Sequence, residues 1–266
     1  MEPPHPSHQP GSDPLSDPVP AGVTADIFLG GAVTVYQPER GFRAGTDSVL
    51  LAAALEGDQS GLCLELGCGA GGALLPAAWR LNQARFVGLE RDQDMAALAR
   101  RGVAANGVSD RVEIVDGDAA HLPPGWANRY DLVFANPPFF EPGAIAAPGP
   151  GKSGAYLESL PLAHWIEAML WAVRPKGRFV MIHRAAALTE ILSALHGQAG
   201  EIAILPVRAY PGADAKRVIV RARKGLRPGP TRLLAGIDLY ESAGGARSET
   251  SLAMSARGEG LSWQAV

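Results

Sequence analysis

Residues Asn136, Pro137, Pro138 and Phe139 combine types suited to work on a planar nitrogen. Two consecutive prolines neither continue a helix nor donate to a central sheet ladder. They therefore end the apolar run Tyr130 to Ala135 and fix the chain beyond it. The lone pair of an aromatic amine is delocalised into its ring, which makes the nitrogen a poor nucleophile. The Asn136 side-chain oxygen and the Pro137 carbonyl are two acceptors able to hold such a nitrogen toward tetrahedral geometry, freeing the lone pair for in-line attack. The prolines set the carbonyl in advance, a preorganisation by orientation and electrostatics. Phe139 offers a face for a flipped base, worth about 1–3 kcal/mol.

A second group lies upstream. "LELGCGAGG" places Gly67, Gly69 and Gly72 in a G-x-G-x-x-G arrangement after an apolar run and before a helical one. Such glycines permit a tight turn and close approach of a ligand to the backbone. Glu90 ends the next apolar run about 20 residues on, where a carboxylate can accept from ribose hydroxyls. Glu65 stands just before the glycines, where it repels a pyrophosphate and favours a cation. Asp118 follows the third run and can accept from an adenine amine. An adenosine joined to a sulfonium and an amino group satisfies all three, which points to S-adenosylmethionine.

These residues must be positioned by the elements around them. From residue 61 onward, Val/Ile/Leu/Phe runs alternate with helical patterns for about 130 residues, as in a parallel sheet covered on both faces. The last two runs, "EIAILPVRAY" and "KRVIVRARKG", are joined by a short turn and should pair antiparallel. The expected fold is α/β, a doubly wound, mostly parallel sheet with a C-terminal antiparallel hairpin. "DIFLGGAVTVYQP" adds an N-terminal β-hairpin, and "TDSVLLAAALEG" a helix capped by Thr46 or Asp47. Residues 1–22, rich in proline, serine and acid, are expected to be a disordered tail, 23–230 the main domain, and 231–266 an irregular extension.

Composition narrows the classes. Hydrophobic residues make up 47% and charged residues 19% of the 266-residue chain, a globular balance. No apolar run reaches the roughly 18 residues needed to span a bilayer, and a cytoplasmic location is expected. Two cysteines in one segment with no histidine nearby predict neither a metal site nor a disulfide. Charge is uneven: residues 1–142 are acidic in sum and the remainder basic. Arg208, Lys216, Arg217, Arg221, Arg223, Lys224, Arg227 and Arg232 are opposed over 208–232 only by Asp214, a possible footprint for a polyanion. Lys152, in "GPGKSGAY", adds a cation able to meet a phosphate in a substrate loop.

"ELGCGAGG", "VGLERD", "GDA" and "NPPF" resemble the signature segments of class I S-adenosylmethionine-dependent methyltransferases. "GFRAGTDSVLLAAAL" and the extension "NPPFF" are similar to the bacterial tRNA1(Val) adenine-N6 methyltransferases, over roughly residues 24–228. The resemblance implies a seven-stranded sheet, a tRNA substrate, and methylation of the adenosine beside the anticodon. It implies an acceptor site at Asn136, Pro137, Pro138 and Phe139. It also implies cofactor contacts from Glu65, Gly67, Gly69, Glu90 and Asp118, from Arg91 and Ala119 in the same segments, and from Asn136. Thr46 and Asp47 would close over the methionine end. Three alternatives stay open from the residues themselves: a guanine-N2 methyltransferase acting on ribosomal RNA, a protein glutamine methyltransferase, and a nicotinamide-dependent oxidoreductase. A non-catalytic RNA-binding module leaves the Asn-Pro-Pro-Phe run without a purpose.

Overall fold

Strands that are apolar along most of their length must be covered on both faces, and the element order supplies the cover. The computed structural model describes residues 18–41, 43–139 and 160–263. After a hairpin of β1 (Val23–Phe28) and β2 (Val33–Pro38) come α1 (Thr46–Ala54), β3 (Gly61–Leu66), α2 (Leu74–Arg80), β4 (Ala84–Glu90) and α3 (Gln93–Ala105). Next are β5 (Val112–Asp116), β6 (Tyr130–Ala135), α4 (Leu162–Ala172), β7 (Val173–Arg184), α5 (Leu188–Leu195), β8 (Ala199–Arg208) and β9 (Ala215–Lys224). Two-residue strands β10 (Arg232–Leu233) and β11 (Ile237–Asp238) and helix α6 (Glu249–Arg257) follow.

The seven long strands lie in the order β8-β9-β7-β6-β3-β4-β5, with β10 and β11 both pairing with β8. Only β9 runs against its neighbours β7 and β8. The α/β sheet, the antiparallel C-terminal pair and the N-terminal hairpin thus agree with the sequence pattern. The two short strands extend the sheet beyond the expected seven.

Two apolar cores cover the faces. One joins α1, α2, α6 and the hairpin to residues such as Phe86, Phe134 and Ile219. The other joins α4 and α5 to Leu64, Leu66, Val133 and Phe179. Phe86 meets Phe134 edge-on across the first, with centroids 6.4 Å apart.

The structure differs from the sequence reading in three places. Helix α1 is preceded by Gly45 at its N-cap, and no side chain caps it, so Thr46 and Asp47 lie inside the first turn. The cap seen in α3 is Asp92, which accepts from the Asp94 and Met95 amides. "LAHWIEAMLWAVRPKG" reads in sequence as one helix ended by Pro175 and Gly177, but α4 ends at Ala172 and the chain passes straight into β7, so both stand in a strand.

The third difference is the C-terminal segment, which is structured where an irregular end was expected. Helix α6 opens on Ser248, whose hydroxyl accepts from the Ser251 amide, and closes on Gly258 in the left-handed region. Its weak pattern has a physical reason: it buries only Ser251 and Met254, because it packs edge-on against a glycine turn. Gly30, at φ 64°, lies so close to the Ala256 carbonyl that an added Cβ would collide with it. Beyond α6, the Trp263 indole donates to the Ala54 carbonyl at 2.8 Å, and the Leu261 amide to the Ala53 carbonyl at 2.7 Å.

This contact sets a test of whether the segment belongs to the folded body. Gly30→Ala forces both a left-handed alanine and a clash with α6. It is expected to cost about 1–3 kcal/mol, read as a lower urea midpoint. Gly107→Ala, at the same φ of 64° and with open space around its Cβ, carries only the backbone strain and serves as the reference.

Candidate active site

Parallel pairing in register aligns the ends of adjacent strands. Leu66 of β3 pairs with Leu89 of β4 and with Ala135 of β6, and Glu90 pairs with Asp116. The residues that follow these ends, the glycine loop, Asp118 and Asn136, therefore converge on one edge of the sheet, where open α/β sheets bind ligands.

Gly67 and Gly69 adopt φ 69° and 54°, and the Gly67 and Cys68 amides both donate to the Leu89 carbonyl. The turn brings Gly67 against the Trp165 ring, whose nearest carbon would lie 2.7 Å from an added Cβ. Gly72 has no left-handed φ. Its place is fixed by contact instead, since an added Cβ would overlap that of Ala44.

Glu90 is held on both oxygens: Oε2 accepts from the Gly69 amide at 2.7 Å and Oε1 from the Asp92 amide at 2.9 Å. Asp118 Oδ1 accepts from the Ala120 amide, which turns the chain after β5. A cavity of about 270 Å³ opens here, lined by Gly67, Gly69, Glu90, Arg91, Asp118 and Ala119 together with Asn136 and Trp165.

Asn136 also lines two neighbouring spaces. One is a small space shared with Glu65, Ser48, Met95 and the glycine loop. The other is a cavity of about 260 Å³ bounded by Arg43, Thr46, Asp47, Pro137, Pro138 and Phe139. Thr46 and Asp47 thus face the cavity beside Pro137 and Phe139 rather than the one at the glycine loop. Asp47 is moreover engaged by Arg217 at 2.8 Å.

Within the acceptor motif, Pro137 is buried and Pro138 exposed. The Arg217 guanidinium lies 4.6 Å from the centroid of the Phe139 ring, and His183 meets that ring edge-on at 4.8 Å. Burial, then the nearby Arg184 and Arg217 charges, push His183 down to about 4, so it is neutral at physiological pH.

Two of the buried oxygens that lack protein partners line this site, Asn136 Oδ1 and Glu65 Oε2. Glu65 is 2% exposed, and burial followed by repulsion from Glu90 raises its carboxyl well above the usual 4.5. A backbone hydrogen bond at Leu74 opposes this only in part. Together they fit an adenosine-bearing cation: the orphaned carboxyl answers an ammonium, and Glu90 and Asp118 keep further lone pairs for hydroxyl and amine donors.

Residues the sequence did not single out complete the site. Gln37 of β2 is buried, with its Nε2 donating to Asp26 at 2.7 Å and its Oε1 accepting from the Ala44 amide at 2.6 Å. Arg43 pairs with the same Asp26 and donates to the Pro38 carbonyl. The hairpin thereby fixes the 43–45 turn over the glycine loop. Only the inward face of α4 hinted at Trp165. No local pattern marks Gln37.

The predicted cationic footprint is divided. Arg208, Lys216 and Arg217 lie at the active edge, because β9 runs antiparallel and Arg217 pairs with Arg184 at the end of β7. Arg223 pairs with Arg178 at the start of β7, six residues and about 20 Å away. Arg221 is bound to Glu56 and stacked on Trp263. Arg223 donates to the Lys176 carbonyl, and Lys224 to Asn128 and the Val173 carbonyl. Arg208 pairs with Asp238 at 2.6 Å. Lys152 lies outside the described residues.

This sheet order, glycine loop and acidic strand ends define a class I S-adenosylmethionine-dependent methyltransferase. A family model described as "Methyltransferase domain" matches residues 63–145. The chain is 33% identical over 202 residues to a Porphyromonas gingivalis tRNA1(Val) (adenine(37)-N6)-methyltransferase, covering 73% of this chain and 79% of the relative. It is 27% identical over 186 residues to the protein of the same name from Dickeya chrysanthemi, covering 69% and 73%. It is also similar to the crystal structure of a "predicted O-methyltransferase" from Agrobacterium tumefaciens, with TM-score 0.65 and 26% identity over 81% of this chain and 98% of that one. The chain belongs to the tRNA1(Val) (adenine(37)-N6)-methyltransferase family.

Glu65 yields a pH test. Its raised pKa means the folded state holds a proton that the unfolded chain has lost. Stability from this group is present below about 4.5 and falls as pH rises through the folded value. Glu65→Gln is expected to flatten that fall in urea melts across pH.

Proposed function

We propose that the protein methylates the exocyclic N6 of adenine in tRNA, adenosine 37 of tRNA1(Val) by likeness to its relatives, and does so in the cytoplasm. The observation that carries this reading is the position of Asn136. It lines the cofactor cavity, the Glu65 space and the acceptor cavity alike, with its Oδ1 buried and unpaired.

S-adenosylmethionine, when bound, supplies an electrophilic methyl group on a positive sulfur. Glu90 and Asp118 would hold the adenosine part and Glu65 the ammonium, which leaves the reacting end beside Asn136. Asn136 Oδ1 and the Pro137 carbonyl would accept the two N–H bonds of the target amine and turn its lone pair toward the donor. Phe139 would stack the flipped base on the face opposite Arg217. The same two oxygens would hold the proton that the methylated nitrogen carries in excess until it passes to water. Neutral His183 adds no charge beside the base.

Among the described residues no group of three or more His, Cys, Asp and Glu could hold a metal ion, and no helix is long and apolar enough to cross a membrane. The carboxyl of Glu65 at the glycine loop disfavours the pyrophosphate of a nicotinamide cofactor. For RNA contacts we propose Lys216, Arg217 and Arg208 on the active edge. Lys152 is retained as a phosphate contact on sequence grounds.

Asn136→Ala is expected to lower kcat on tRNA about 100-fold or more while cofactor affinity by calorimetry stays unchanged. In parallel, nucleoside mass spectrometry of tRNA from a deletion strain should lack N6-methyladenosine; loss of an N2-methylguanosine instead would overturn the choice of base. Lys216→Glu should weaken RNA binding and flatten its salt dependence. Arg223→Glu, on the far edge, should leave the salt slope as it is.

A further inference from the structure

The C-terminal segment builds a second cavity that the chemistry above does not use. It measures about 230 Å³ and lies between β1, the start of α1 and α6. It shares Gly45 and Thr46 with the acceptor cavity, so the two spaces stand back to back across the first turn of α1. The wall they share is a single helical turn, about 5 Å, which is within the reach of a nucleotide adjoining one held at Asn136.

Its surface suits a base. Ile27, Phe28, Val49 and Met254 form an apolar floor, and Ile27 is 61% exposed, unusual for an isoleucine in a strand. At the rim Arg247 donates to the Ser251 hydroxyl at 3.3 Å, and its guanidinium stands 6.0 Å from the Tyr240 ring centroid. Sequence-specific RNA recognition works largely by splaying unstacked bases onto apolar or aromatic faces and guanidinium planes. The cavity is also preformed. Helix α6 is fixed against Gly30, Arg80 donates to the Gly258 carbonyl at 2.9 Å, and Trp263 is tied to Ala54.

We propose that this cavity holds the base of a nucleotide adjoining the methylated one in the same RNA strand, which makes the C-terminal segment part of substrate selection. The inference rests on the tRNA reading above. It names a contact to a base rather than to phosphates, because the acids Asp238, Glu241, Glu249 and Glu259 offset the arginines of this segment.

The test is a double-mutant cycle on a stem-loop RNA carrying the target adenosine, either intact or abasic at its 5′ or 3′ neighbour. Ile27→Asp and Arg247→Ala both alter exposed side chains, and each should keep its affinity for the cofactor in calorimetry. With wild-type protein, one of the two abasic sites should raise KM about tenfold. Each variant should show a similar rise on intact RNA and no further rise on the abasic one. If the abasic penalty persists undiminished in both variants, or if both methylate intact RNA like the wild type, the base does not sit here. The latter result leaves a protein partner as the occupant of the cavity. Failure of the wild-type protein to methylate the intact stem-loop overturns the tRNA reading and this inference with it.

Discussion

The site depends on the register in which β3 pairs with β4 on one side and β6 on the other. Side chains alternate across a strand, so a slip of one residue would turn Glu65 to the opposite face and displace the glycine loop from Glu90. The register is held by apolar side chains on both faces. Leu64 and Leu66 belong to one core, and Cys63, Phe86 and Phe134 to the other. Burial of ordinary hydrophobic residues thus fixes the distance between two buried oxygens, Glu65 Oε2 and Asn136 Oδ1, that have no protein partners of their own.

The parallel sheet and the convergence of its strand ends were legible because their signals are local and repetitive. Apolar runs of five to seven residues, glycines at a strand end and a proline pair each carry their structural meaning within a few positions. Gly67, Gly69, Glu90, Arg91, Asp118 and Ala119 come together around one cavity for that reason. Thr46 and Asp47 were harder to read, since the direction of a helix's first turn depends on the loop before it, and that loop is set by Gln37 and Asp26. The cationic cluster misled more seriously. Charge in sequence is a sum over a segment, whereas β9 is extended and sends Arg217 and Arg223 to opposite edges. The end of the chain was illegible because α6 buries little and relies on contacts with residues more than two hundred positions away.

The N-terminal hairpin acts as an outer brace rather than as part of the sheet. Asn106 at the end of α3 accepts from the Thr34 amide at 2.9 Å and donates to its carbonyl at 2.7 Å. From this anchor, Gln37 and Arg43 fix the 43–45 turn, and Asp47 then reaches Arg217. The cavity beside Pro137 and Phe139 is consequently walled on one side by residues 43–48, which the hairpin holds in place.

Ala44 and Gly72 meet so closely that one has no room for a larger side chain unless the other yields. Neither residue offers a functional group. Across relatives that keep this turn over the loop, positions 44 and 72 are therefore expected to vary jointly. Their covariation would record the thickness of the wall between hairpin and cofactor, a quantity on which selection acts through space alone.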